Sequence, residues 1–383
     1  MVLSVCACGV PPAVAPTQEH AREQIVSGEV AGSREELTAR ADHALANARW
    51  EEAIAPLIAL RNAARLDPAR RGELPQILGR LASAYDHASR LEDAWSTYVE
   101  LSEFATSQEA RAARDKHLFL AIYLDKDADV ARLGALRLTD PHVTERGRLF
   151  GLAARSIAAS HAGEDAPAMR DAQDALDLAE RLGVGLAGRL PLDVAMVHYA
   201  LAEVRRVRSE RISFATMTPS EFFTAFQARC AGLLAAQSAY TDAIRSEDPR
   251  AAILAGVSLG RVYMRIHRDV LVVPPSKKAD TMEKQQLHDA MMRVRYRVLL
   301  EKGGDMMERS LALAEKLGDL SPWRERAKED RETIRLAIDA EHKRLEAYPW
   351  TEKEVEDALE ILRKQTLAKL AAEEERQRKS WPK

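Results

Sequence analysis

Apolar residues in the first third of the chain recur at helical spacing, and they do so twice with the same internal offsets. Leu37, Ala41, Ala44, Trp50, Ala53, Leu57 and Leu60 form one set; Leu78, Ala82, Tyr85, Leu91, Ala94, Tyr98 and Leu101 occupy the same places in the next. Small residues stand where two helices must touch and large ones fill the gaps, so the pattern predicts stacked antiparallel helical hairpins.

Local signals place the ends. Ser33-Arg34-Glu35-Glu36 is a capping box, because the Ser33 hydroxyl can accept from the Glu36 amide while the Glu36 carboxylate reaches back. Helices are expected at about 34–47 with 50–66 and 74–88 with 91–105, joined by Ala48-Arg49 and Ser89-Arg90, with Asp67-Pro68 closing the first pair. A shorter pair follows at about 108–124 and 127–138, stopped by Asp140-Pro141, and another at 142–161 and 165–182 around Gly163-Glu164-Asp165. Three to four hairpins result, and about three suffice for such a stack. Later helices are longer. Thr218-Pro219-Ser220-Glu221 opens one to about Ile244, Asp248-Pro249 one to Val270, and a third covers about 280–317 after Pro274-Pro275. Ser321-Pro322 and Thr351-Glu352-Lys353-Glu354 open the last two. The expected organisation is a tether (1–32), hairpin repeats (33–189), a long-helix domain (190–347) and a charged C-terminal helix (348–383). Extension of the stack and a separate bundle remain alternatives for 190–347, since both bury an apolar stripe of similar width.

The paired sets resemble the tetratricopeptide (TPR) consensus, whose repeat is about 34 residues. That resemblance implies an all-α solenoid of helical hairpins, continuing here into longer antiparallel helices. A second resemblance runs from Tyr240 through Asp248-Pro249-Arg250-Ala251-Ala252, Leu259-Gly260-Arg261-Val262-Tyr263, Pro274-Pro275 and Leu299-Leu300-Glu301-Lys302 to Ser321-Pro322-Trp323. This stretch, a fifth to a quarter of the chain, is similar to the C-terminal TPR region of envelope proteins from myxobacteria and relatives, some linked to gliding motility. It departs in having Ala251 and Ala252 where a Trp is common, and basic Lys277-Lys278 after the Pro-Pro loop. The resemblance implies a periplasmic or outer-membrane subunit that holds other proteins.

Composition narrows the picture. Ala, Leu, Arg and Glu are abundant, β-branched residues sparse and aromatic content only 5%, a balance that favours helix, and a net charge of -3 gives no global field to draw the chain to nucleic acid. The three cysteines, Cys6, Cys8 and Cys230, offer neither a disulfide framework nor a CxxC zinc site, and Cys230 is expected in the core. Val5-Cys6-Ala7-Cys8-Gly9 resembles a bacterial lipobox, making Cys8 a candidate lipidation site, although only Met1 to Val5 stand where a basic segment and an apolar stretch of about 7 to 15 residues belong. The only membrane contact expected is through that anchor.

Chemistry is sparse. Gly183-Val184-Gly185-Leu186-Ala187-Gly188 spells GxGxxG, but it follows a helical period rather than a strand and is expected to be a loop. Asp339, His342 and Glu346 share a helix face without a second Glu-x-x-His, and His198, His267 and His288 have no companion at ligand spacing. No metal, cofactor or small-molecule substrate is expected, and no nucleophile–base pair suggests an enzyme. Arg205-Arg206-Val207-Arg208 fits a helix C-terminus, and Arg324 to Arg331, interleaved with acids, fits a salt-bridged solvent face. The candidate partner groove follows from the TPR resemblance, whose groove-facing positions map onto Thr38, Asp42, Arg80, Ser83 and His87. The functional expectation is a scaffold for one or more proteins, anchored at the envelope; the alternative is a cytosolic adaptor for a peptide or signalling partner.

Overall fold

A computed structural model describes residues 32–380 apart from 186–187, 215–218 and 276–278. Cys6, Cys8, Thr218 and Lys277-Lys278 lie outside the described residues. Within them the protein is all-α, a stack of helical hairpins with one isolated backbone bridge, Leu190 to Ser246. It divides into two compact units, the first ending at Ala113 and the second beginning at Arg114.

The first unit holds α1 (Arg34–Ala46), α2 (Trp50–Leu66), α3 (Leu74–His87) and α4 (Leu91–Ser102), each packed on the next; a 3₁₀ turn, Pro68–Glu73, separates the hairpins. Helix α4 ends three residues before the expected 105. The capping box forms as read, with Ser33 N donating to Glu36 Oε2 at 2.8 Å and Glu36 N to Ser33 Oγ at 3.2 Å. Ala41, Ala53, Leu57, Leu78 and Ala82 are fully buried between the helices.

One turn recurs in both units. Ala48 and Ser89, and in the second unit Asp125, take left-handed φ values of 53°, 58° and 54°. In each case the following amide donates to a carbonyl five residues back: Arg49 to Ala44, Arg90 to Tyr85 and Lys126 to Ala121, all at 2.9 Å. This closes the helix C-terminus and reverses the chain.

The second unit comprises the end of α5 (Gln108–Tyr123), α6 (Asp127–Thr139), α7 (Glu145–Ala162), α8 (Asp165–Arg181), α9 (Leu192–Glu210), α10 (Pro219–Ala243), α11 (Pro249–Val270), α12 (Met282–Leu317), α13 (Pro322–Glu346) and α14 (Glu352–Ser380). From α6 to α13 each helix packs on its successor, while α7 also meets α9, α9 meets α11, α11 meets α13, and α14 returns onto α12. Sequential pairing therefore continues through the long helices. Gly260 lets α11 and α12 pack closely: a Cβ there would lie 2.6 Å from Met307 Cε and 3.2 Å from the Gly303 carbonyl oxygen, so α12 would have to give way. Asp248 and Thr351 cap their helices as expected, Asp248 Oδ1 accepting from Arg250 N at 2.9 Å and Thr351 Oγ1 from Glu354 N at 3.3 Å.

Ser321 departs from the capping role. Its hydroxyl lies 3.1 Å from the Tyr123 phenol and 3.2 Å from Asp319 Oδ2, while that phenol donates to Asp319 at 2.5 Å and Trp323 Nε1 donates to the Tyr123 carbonyl at 2.8 Å. An open solenoid contacts only neighbouring repeats. Here the end of α5 meets the start of α13, so the second unit closes on itself. Cys230, expected in the core, is half-buried on α10, because the positions facing the neighbours there are Leu233, Ala236 and Tyr240.

Candidate functional site

Closure of the second unit leaves an open groove of about 570 Å³. Every second helix contributes to it: His161 from α7, Glu203, Arg206 and Glu210 from α9, Arg261, Met264, Arg265 and Arg268 from α11, and Trp323, Arg326 and Asp330 from α13. Asp125 and Asp127, at the start of α6, complete one rim.

Its floor is an ionic network built around Glu203. Glu203 is the one carboxylate between Val194 and Val204, an otherwise mostly apolar stretch of α9, and it is 2% exposed. Glu203 accepts from Arg206 Nη2 at 2.6 Å, from the Tyr240 phenol, and lies 3.1 Å from His161 Nε2. Arg206 also donates to Glu210 at 2.8 Å, and His161 Nδ1 lies 2.9 Å from Asp127. Burial opposes the charge on Glu203, but Arg206 and then His161 outweigh it and hold the carboxyl well below its ordinary range. Burial likewise opposes the imidazolium of His161, yet Glu203 and Asp127 raise it to about 9. His161 is thus charged at neutral pH. The phenol of Tyr240 is pushed far up, first by burial and then by Glu203, so it stays a donor.

A second buried pair supports the groove wall. Arg229 on α10 grips Asp269 on α11 with both arms, at 2.5 and 3.1 Å, and its Nη1 donates to the Ile212 carbonyl at 2.7 Å just beyond α9.

The sequence-derived groove residues lie in the first unit. Asp42 on α1 and Arg80 on α3 form an ion pair with each other. His87 stacks on Trp50 at 4.2 Å, and Thr38 and Ser83 are half-buried on α1 and α3. Asp42 and Arg80 are therefore brought together, while the groove of the second unit belongs to other residues. Two readings change. Arg206 joins the buried network as well as ending a helix, and the Arg324–Arg331 run is split: Lys328 pairs with Glu325 at the surface, whereas Arg326 turns to Asp125 and Asp330 to Arg261 Nε at 2.6 Å. The lone carboxylate in an apolar run was the available signal for Glu203; its partners on other helices carried none. Gly183, Gly185 and Gly188 all take positive φ in the loop between α8 and α9, as expected of a non-nucleotide GxGxxG. Asp339 is held by Arg335, and no group of potential metal ligands occurs among the described residues. Nor is any described helix long and apolar enough to cross a membrane.

No family model matches the chain and no curated protein matches it. Among solved structures, a tetratricopeptide repeat protein from Parabacteroides merdae is similar over 79% of this chain and 98% of its own, at 12% identity and a TM-score of 0.40.

Proposed function

We propose that the protein is a non-catalytic helical-repeat scaffold that holds another protein in the groove of its second unit. The observation that supports this is that α7, α9, α11 and α13 all direct side chains into one open groove, the place where a stacked-hairpin protein can grip an extended segment. We further propose envelope anchoring through lipidated Cys8, a reading supported by Val5-Cys6-Ala7-Cys8-Gly9 and by the Tyr240–Trp323 resemblance.

Two experiments test these parts separately. A photo-cross-linking residue at Met264, inside the groove, is expected to capture one protein that the same residue at exposed Leu336 does not; equal capture from both sites overturns the groove. Intact mass and membrane fractionation from the native locus, including upstream DNA, are expected to show acyl mass and membrane partitioning that Cys8→Ala abolishes. A wild type that is soluble and unmodified overturns the anchor and leaves the cytosolic adaptor.

A further inference from the structure

Charge is not evenly matched along the groove. Asp127, Glu203 and Glu210 surround His161 and Arg206, so the cations at that end are all matched and the end carries a slight excess of negative charge. Along α11, Arg261, Arg265 and Arg268 follow one another down the groove-lining face. Asp330 takes Arg261, and Arg326 is taken by Asp125. Arg265 fares differently. Its Nε stands 3.5 Å from Asp269, a carboxylate it shares with Arg229, which donates to both of its oxygens at shorter range. That Nε is buried and makes no hydrogen bond. Arg268, one turn on, is exposed and has no ion-pair partner among the described residues. Arg265 thus shares its one carboxylate with Arg229, Arg268 has none among the described residues, and both line the groove beside Met264.

We propose that Arg265 and Arg268 receive a run of carboxylates in a peptide segment of the partner, an inference that rests on the groove being the partner site. Guanidinium forks bind carboxylates through paired hydrogen bonds, and in a half-enclosed site such bonds are stronger than at an open surface. The groove is open and spans several helices, so it admits a chain; Met264 can cover the methylene stems of its Glu residues. Removing Arg265 leaves the Arg229–Asp269 pair intact, so the fold should survive the test.

The probe is fluorescein-labelled hexaglutamate, followed by anisotropy with the full chain at low salt. We expect saturable binding that weakens about tenfold or more in Arg265→Gln/Arg268→Gln while helical circular dichroism is unchanged. Labelled hexalysine should not bind, and citrate at equal carboxylate concentration should not displace the peptide. Binding within twofold in the double variant overturns the proposal, as does equal binding of hexalysine; displacement by citrate overturns the peptide in favour of a small anion. Cross-linking from Met264 separates this from the scaffold itself: a captured segment rich in Asp and Glu supports the proposal, whereas one without acids refutes it and leaves the scaffold standing.

Discussion

The two units use charge in opposite ways. In the first, ion pairs decorate a hydrocarbon core: Arg65 meets Glu100 at 2.6 Å, Arg34 meets Glu73 at 2.9 Å and Arg80 meets Asp42, each with at least one half-exposed partner. In the second, charges are built into the interior, Glu203 with Arg206 and His161, and Arg229 with Asp269. An exposed pair is worth little because water solvates both partners when they part; a buried one becomes costly when a single partner is removed. The first unit is thus held by shape and the second by shape plus an obligatory polar arrangement, which is where the groove lies.

The sharpest way to break that comparison is Glu203→Ala, which would leave His161 and Arg206 facing each other without their shared anion. We expect a loss of about 3–5 kcal/mol, read by urea unfolding with hydrogen exchange localised to α9. A loss below about 1 kcal/mol would show that the second unit is as indifferent to its charges as the first. Asp269→Ala should behave similarly at α10 and α11.

Next in size is pH. His161 is raised to about 9 in the folded state, so its contribution is complete below about pH 6.5, the unfolded value, and drains away as pH rises through 9. At roughly 1.36 kcal/mol per unit of pKa, this amounts to up to about 3 kcal/mol. His117 has the opposite sign: burial, then Arg132, lower it to about 4, so the unfolded chain gains a proton first and stability falls from about pH 6.5 toward 4. Unfolding of the second unit followed across pH should therefore show an optimum near neutrality that His161→Gln flattens on its alkaline side.

Smaller effects come from the turns. Left-handed backbone disfavours a Cβ, so Ala48→Gly and Ser89→Gly are expected to stabilise the first unit by about 1 kcal/mol each. Asp125→Gly relieves the same strain but forfeits the ion pair to Arg326, and should come out near neutral. A thermal melt that gains equally from all three would remove Asp125 from the groove rim. Smallest of all, a double-mutant cycle on Asp42 and Arg80 should return less than about 1 kcal/mol of coupling.

What was legible in the sequence follows the range of the interactions. Ser33, Asp248 and Thr351 announce their helix ends because a cap and its target lie within three residues. Leu57 and Leu78 announce the hairpins because periodicity is local. The groove was not legible in the same way. His161, Glu203 and Tyr240 meet only after three helices have packed, and Tyr123 finds Asp319 across 196 positions. Arg326 and Asp330 looked like members of a solvated ladder because their i,i+3 and i,i+4 neighbours were visible, and Asp125 and Arg261 were not.

That long-range meeting of Tyr123 with Asp319, Ser321 and Trp323 gives the second unit a latch. An open array behaves as a spring, lengthening under tension by small changes shared among all its joints, and it can gain or lose a hairpin by duplication at little cost. A latched array can do neither. An extra hairpin inserted between α6 and α12 would carry the two halves of the latch out of register, so the number of helices in this unit is fixed by its own closure. Tension between α5 and α13 falls first on three buried hydrogen bonds and the Asp125–Arg326 pair rather than on the whole stack.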